Sequence, residues 1–261
     1  MIHIKTPAEI EEFKVAGSLS KAVLRRAGRM VRPGVTTREI DQVVESFIRL
    51  HGAVPGFKGL YGFPASICAS VNEEIVHGIP SERVLEDGDI ISIDTGATTG
   101  GWVGDNAWTF FVGEPSREAK ELCEVTLDCL KVGIEQAVPG NHIGDIGHAV
   151  QTLAERHGFG VVREYVGHGV GHVMHEDPNV PNFGKKGRGV KLQVGMVIAI
   201  EPMITLGTFK NHTLANGWTV VTNDGKPAAH YENTVAITKD GPVILTQDAE
   251  GPWCSFQGGD R

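Results

Sequence analysis

The sequence predicts an α/β fold in which one helix-helix-sheet unit occurs twice. Three observations predict it. Pro33-Gly34, Ile40 and His51-Gly52 recur as Pro139-Gly140, Ile146 and His157-Gly158, each displaced by 106 residues. Leu85, Gly88 and Asp94 recur as Leu192, Gly195 and Glu201, each displaced by 107. In both places a short apolar strand ends in a carboxylate, GDIISID and GMVIAIE, after segments with helical periodicity. Coincidence among common glycines and prolines is the bland explanation; seven identical positions in the same order argue against it.

In chain order, Thr6-Pro7-Ala8-Glu9 reads as a capping box with proline at the first helical position, and Ile10, Phe13, Ala16, Leu19 and Val23 follow as one apolar stripe. Thr36-Thr37-Arg38-Glu39 opens a second helix carrying Ile40, Val43, Val44 and Phe47, with His51-Gly52 as its stop. Residues 53–64 are loop-like and aromatic, and 65–71 read as a strand. A helix over about 116–137 shows Leu122, Val125, Cys129 and Val132 on one face, and Ile143, Ile146, Val150 and Leu153 mark the next. From Val161 onward the pattern turns to strands and glycine-rich loops. One domain is expected over 1–261, with halves at about 1–113 and 114–245 and a tail at 246–261.

Composition bounds the function. With 24 basic against 32 acidic side chains the net charge is −8, and the only short basic runs are Arg25-Arg26 and Lys185-Lys186-Gly187-Arg188, so nucleic acid is not expected as the main ligand. No apolar run approaches the roughly 18 residues of a membrane span, and MIHIKTPAEIEEFK is no signal peptide, so no membrane partner is expected. Cys68, Cys123, Cys129 and Cys254 show no framework spacing, which predicts a reduced, cytoplasmic setting.

The chemistry starts in residues 87–110, DGDIISIDTGATTGGWVGDNAWTF, two β-rich arms around a TTGG turn. A two-residue loop at Thr99-Gly100 sets Asp94 opposite Asp105, with Cβ atoms about 4.5–5.5 Å apart. Opposed like charges on a half-buried sheet are destabilising unless a cation lies between them; the alternative is a solvated face with two unrelated acids. If the two halves pack about a pseudo-two-fold axis, Glu201 meets Asp94, and Glu232 in AAHYENTVAIT joins from a neighbouring strand. Four carboxylates on apolar strands are better balanced by two divalent ions than by one, the geometry of aminopeptidase-type hydrolysis. YVGHGVGHVMHEDP supplies His168, His172 and His175. In an extended chain His168 and His172 share a face and His175 points away, but spacing alone does not choose the ligand. His3, His51, His142, His148, His157 and His212 are read as structural or surface residues.

The strings SVNEEIVHGIP, SIDTGA, GWVGDNAWTF, GHGVGHVMHEDP, AIEPM and NGWTVVTNDG…HYENTVAIT resemble those of type I methionine aminopeptidases, in order over about 4–244. The resemblance implies the pita-bread fold, a largely antiparallel mixed, curved sheet with helices on its outer face and an internal pseudo-two-fold repeat. It implies that Asp94, Asp105, His168, Glu201 and Glu232 bind two divalent ions, Asp105 and Glu232 bridging them. It further implies that a water activated between the ions attacks the substrate carbonyl, that Glu201 accepts its proton, that His175 stabilises the oxyanion and that His77 reaches the scissile amide. Oxygen ligands with one imidazole suit Mn²⁺, Fe²⁺ or Co²⁺, with Zn²⁺ and Ni²⁺ as further candidates. Phe57, Phe63, Cys68, Met174 and Trp218 are implied as the methionine pocket. The implied substrates are N-terminal Met peptides and nascent chains with a small second residue. A monomer that meets the ribosome transiently is expected.

The chain departs from the family at Leu60-Tyr61, at His172 where arginine is common, and at Asn216 where aspartate is usual. None is an implied metal ligand, so pocket shape and second-residue tolerance are what they put in question. With no zinc-binding extension and no long insertion, a bare bacterial-type enzyme is expected. A prolidase or aminopeptidase P is the nearest rival; Met203 after Glu201-Pro202, where those carry glycine, stands against it. A non-catalytic binding module of the same fold is the rival from another class, and its typical loss of ligands is not seen here.

Overall fold

The computed structural model describes residues 2–251. The expected helices form where local chemistry starts and stops them. Helix α1, Pro7–Gly28, opens on the Thr6 box: the Thr6 N–H donates to Glu9 Oε2 at 2.7 Å and the Glu9 N–H to Thr6 Oγ1 at 3.3 Å. Helix α2, Thr37–Leu50, repeats the device with Thr36 and Glu39 and stops at His51, where Gly52 follows with φ 69°. Helix α3, Arg117–Glu135, is capped by Ser116 Oγ, which accepts the Ala119 N–H at 3.1 Å. Helix α4, Ile143–Arg156, starts where Asp145 accepts the His142 N–H at 2.8 Å.

The sequence echo reappears as repeated hydrogen bonds. Before α2, the Gly34 N–H donates to Leu85 O and the Leu85 N–H to Val35 O, both at 2.8 Å. Before α4, Gly140 donates to Leu192 O at 3.0 Å and Leu192 to Asn141 O at 2.7 Å. Each pair clips the entry of the second helix to the chain that leads into a central strand. Gly34, Gly88, Gly140 and Gly195 all have φ between 88° and 97°, the left-handed region that glycine enters without cost.

The first unit pairs Ile90–Thr99 with Trp102–Phe111, Ile67–Val71 and the short Val54–Pro55. The second centres on Val197–Ile200, between Asn233–Thr238 and Gly167–Gly169, with Gly241–Ile244 and Glu176–Val180 outside them. Two three-stranded groups complete the described strands, and their pairings are antiparallel throughout. Helices and sheets share one apolar core through Leu24, Ile40, Ile67, Ile91, Leu122, Ile146 and Ile200, each contributing about 1.5–3 kcal/mol on full burial.

The units meet along Trp102–Phe111. Thr234 Oγ1 donates to Asp105 O at 2.7 Å, the Glu232 N–H to Ala107 O at 3.0 Å, and Thr109 Oγ1 bonds both the N–H and the O of His230. This seam carries acids from both halves. The first residues after 245 fold back on α1: Ser18 Oγ donates to Gln247 O at 3.0 Å and Arg25 Nε to Asp248 Oδ2 at 2.9 Å. Of the expected tail, 252–261 lies outside the described residues, and Cys254 with it. No helix among the described residues is long and apolar enough to cross a membrane.

Candidate active site

The first hairpin closes on Gly100-Gly101, which corrects the expected Thr99-Gly100 loop. Gly100 and Gly101 have φ of 57° and 83°, and a two-residue turn that follows the strand twist needs positive φ at both centres. Thr99 therefore pairs with Trp102, Asp94 with Ala107, and Asp105 with Gly96. The shift is by two residues, so the aspartates keep a common face and become diagonal neighbours instead of directly opposed ones.

Glu201 leaves the end of Val197–Ile200, and Glu232 precedes Asn233–Thr238 at the seam. His168 sits between two glycines that allow close passage of neighbouring chains: a Cβ at Gly167 would lie 2.3 Å from Ala199 O, and one at Gly169 2.2 Å from Asp177 O. The result is a cluster. His168 Nε2 is 3.6 Å from Asp105 Oδ2 and 3.5 Å from Glu201 Oε1, and donor atoms of Asp105, His168 and Glu232 lie within 4.8 Å of one another.

The electrostatics of this cluster call for a cation. Burial, then the Asp105 charge, pushes the Asp94 carboxyl well above its ordinary range. Burial alone brings Asp105 up to about 7. Glu201 and Glu232 are raised in the same way, by burial first and neighbouring acids second. His168 is driven down to about 4 by burial, with His175 adding to the effect. Its Nδ1 lies 2.9 Å from Gly169 O, which can only accept, so Nδ1 carries the proton and Nε2 offers a lone pair to the acids. Asp94 Oδ1, Asp105 Oδ1 and Glu232 Oε1 are buried without a hydrogen-bond partner. Orphaned carboxylate oxygens beside an imidazole lone pair fit a divalent cation, and in its absence protons held on the acids.

The histidines depart from the extended-chain reading. The chain turns at 171–174, which brings the His175 ring to 4.4 Å from that of His168. His172 instead stacks on Trp102 at 4.0 Å, with Nδ1 2.7 Å from Gly101 O, and so holds the hairpin tip. His77 lines the same cavity with φ 59°, its ring edge-on to Tyr165 at 5.5 Å. Burial, aided by His175, keeps it neutral, at about 4.

The cavity, about 340 Å³, is lined by the five cluster residues, His77, His175 and an apolar wall that includes Phe57, Phe63, Cys68 and Trp218. Phe63 meets Trp218 edge-on at 5.1 Å. Asn216 Oδ1 accepts the N–H groups of Trp218 and Thr219 at 2.9 Å each, so this departure from the family pattern keeps the turn that presents the indole. Met174 is the exception among the implied pocket residues. It is buried and absent from the lining; its Cε would lie 2.5 Å from a Cβ on Gly96, so it fills the space the glycine leaves. Tyr61, exposed and with φ 51°, stacks on His175 at 5.7 Å.

His230 escaped the sequence reading. It is buried and lines the cavity, and its Nε2 lies 3.6 Å from Glu201 Oε2. Burial, then His77, pushes it down to about 3. The signal was present: His230 stands two residues before Glu232, the spacing that shares a face of an extended chain.

Comparison with known proteins gives this arrangement its family. The model of metallopeptidase family M24 matches residues 11–239. The chain belongs to metallopeptidase family M24. It is 55% identical over 247 residues to a methionine aminopeptidase of Clostridium acetobutylicum, covering 94% of this chain and 99% of that protein. The crystal structure of methionine aminopeptidase from Rickettsia prowazekii superposes with a TM-score of 0.93 at 40% identity, covering 94% of this chain and 100% of that one. Prolidase from Pyrococcus furiosus follows at a TM-score of 0.76 and 26% identity, with 94% of this chain covered but 65% of that one. The M24 chain thus shares its fold with both kinds of enzyme, and its sequence and extent are nearer the aminopeptidases.

Proposed function

We propose that this M24 metallopeptidase removes the N-terminal methionine from peptides and nascent chains whose second residue is small. The observation that carries the reading is the opening of the acid cluster into an apolar cavity with a built aromatic wall. Phe57, Phe63, Cys68 and Trp218 receive the methionine side chain by burial and sulfur–aromatic contact. Asp94, Asp105, His168, Glu201 and Glu232 would hold two divalent ions. Such ions, Mn²⁺, Fe²⁺ or Co²⁺ by donor set, supply an acidified water and a polarised carbonyl.

The chain's own groups do the rest. Glu201 takes a proton from the attacking water and returns it to the leaving amine. His175 donates an N–H to the carbonyl oxygen as charge develops there, and His77 contacts the scissile amide. Both imidazoles are held in the neutral form by burial, so each enters as a hydrogen-bonding group. Work on nascent chains in the cytoplasm, as a monomer and with a transient ribosome encounter, belongs to the same reading.

The test is divalent-metal-dependent release of free methionine from Met-Ala-Ser and Met-Gly peptides, run beside a Xaa-Pro series. Methionine release from the first set supports the reading. Cleavage confined to Xaa-Pro peptides replaces it with a prolidase-type activity.

A further inference from the structure

We infer that Lys5, through a buried ion pair with Glu176, is a positioning residue for His175. The inference rests on the role given to His175 above, but the geometry stands by itself. Lys5 Nζ donates to Glu176 Oε2 at 2.6 Å, and both side chains are almost wholly buried, at 5% and 6% exposure. The other carboxylate oxygen, Oε1, accepts the His172 N–H at 3.1 Å. Glu176 is thus gripped on one side by the N-terminal segment and on the other by the turn that begins at Gly171. That turn is wrapped around the carboxylate so closely that a Cβ on Gly171 would lie 2.1 Å from Oε1.

Lys5 is itself fixed. Its N–H donates to Gly195 O at 2.8 Å, and the next residue, Thr6, caps α1. Gly195, with φ 92°, leaves room for this crossing, since a Cβ there would meet Lys5 O at 2.5 Å. The pair therefore ties the base of α1 to the residue next to His175. The turn reverses the chain so that His175 reaches back to His168, and Glu176 follows it directly. A displacement of about 1 Å at a reacting group costs about 10²-fold in rate even when the change is remote, so a buried tether at this point has a catalytic effect without touching substrate. The other basic neighbour of Oε2, the exposed His3 with Nδ1 3.9 Å away, is too far to replace the Lys5 hydrogen bond. Without Lys5 the buried carboxylate moves or takes up a proton, and either loosens the turn.

The test is Lys5→Met, which keeps the length of the side chain and removes its charge, measured as holoenzyme alone and in a His175→Ala background. In the wild-type background kcat is expected to fall about 10- to 100-fold with KM changed less than about twofold. Mn²⁺ affinity by calorimetry is expected to change less than about twofold, because the strand of His168, though it pairs with Glu176 through Gly169, is also held by Val197–Ile200 through Ile198. In the His175→Ala background the same substitution is expected to change kcat less than about twofold. Unchanged kcat in Lys5→Met, or an equal loss in both backgrounds, overturns the inference. If Lys5→Met does not fold, the Lys5→Met/Glu176→Gln double variant, which carries no unpaired buried charge, is put through the same cycle and read by the same two outcomes. Absence of methionine release by the wild-type enzyme refutes the proposed activity instead, so the two failures are distinct.

Discussion

The Nε2 atom of His168 lies 3.5 Å from Oε1 of Glu201, with the imidazole neutral and its lone pair towards the acid. The imidazole carries no charge to make this a salt bridge. The contact joins an acid at the end of one strand to an imidazole on the strand paired with it, and Asp105 from the other half lies within 3.6 Å of the same nitrogen. Electron-rich groups are brought together by a fold whose backbone hydrogen bonds are satisfied elsewhere, and that arrangement is stable only with positive charge or protons among them.

The first prediction concerns the chelated protein. A carboxyl whose folded pKa is raised binds its proton more tightly in the native state, so it stabilises the fold at low pH and loses that contribution as pH rises. For Asp105, raised from 3.8 to about 7, the loss runs from about pH 4 to about pH 7. His77, His168 and His230, whose values are lowered, stabilise the fold as pH rises through the same window, so the Asp105 contribution is read against Asp105→Asn. In EDTA the wild-type Tm is expected to fall relative to that of the variant from pH 4 to 7, and saturating Mn²⁺ is expected to restore the wild-type Tm at pH 7.5. A chelated wild type whose Tm rises relative to that of Asp105→Asn from pH 4 to 7 contradicts the account.

Asp105→Asn is expected to abolish both methionine release and tight metal loading, because this carboxylate stands among the donor atoms of His168 and Glu232. The same substitution removes one of four mutually repelling acids. Without metal at pH 8, the variant is therefore expected to melt at a higher temperature than the wild type, which calorimetry measures directly.

His175→Ala is expected to lower kcat by about 10²–10³-fold, the usual cost of deleting one oxyanion donor, with KM nearly unchanged. Steady-state kinetics on Met-Ala-Ser separates the two parameters. A change confined to KM would mean that the ring serves substrate binding alone.

Gly78→Ala tests the placement of His77. A Cβ at Gly78 would come within 2.2 Å of Ala69 O, a backbone atom that cannot step aside without moving the strand Ile67–Val71. The expected cost is about 1–3 kcal/mol of stability, as for other overpacked sites, together with a loss of kcat as His77 is displaced. Denaturant unfolding and kinetics on the same preparation check both.

Local features were legible in the sequence. The Thr6–Glu9 and Thr36–Glu39 boxes start helices by hydrogen bonds three residues apart, so no distant contact is needed to read them. The echo was legible because the same clip, Gly34 to Leu85 and Gly140 to Leu192, needs the same small residues twice. The errors lie where the chain leaves a regular path. Counting pairs from Thr99-Gly100 ignored the demand for two positive φ angles, which Gly100-Gly101 meets; the shared face survived only because the shift was even. The direction of His175 depended on a turn that extended-strand parity does not contain. Met174 packs in one apolar cluster with Phe57, Phe63 and Cys68, and its end fills the vacancy beside Gly96, which only the folded backbone reveals.

The central claim is that one buried acid cluster holds the ions that methionine release requires. It is tested most directly by titrating chelated protein with Mn²⁺ without oxygen, reading bound metal by calorimetry and free methionine from Met-Ala-Ser in the same samples. The account predicts that release rises with metal and saturates at two ions per chain, and that Asp105→Asn loses both signals together. Full release by the chelated wild-type protein, or unchanged metal binding in Asp105→Asn, would contradict it.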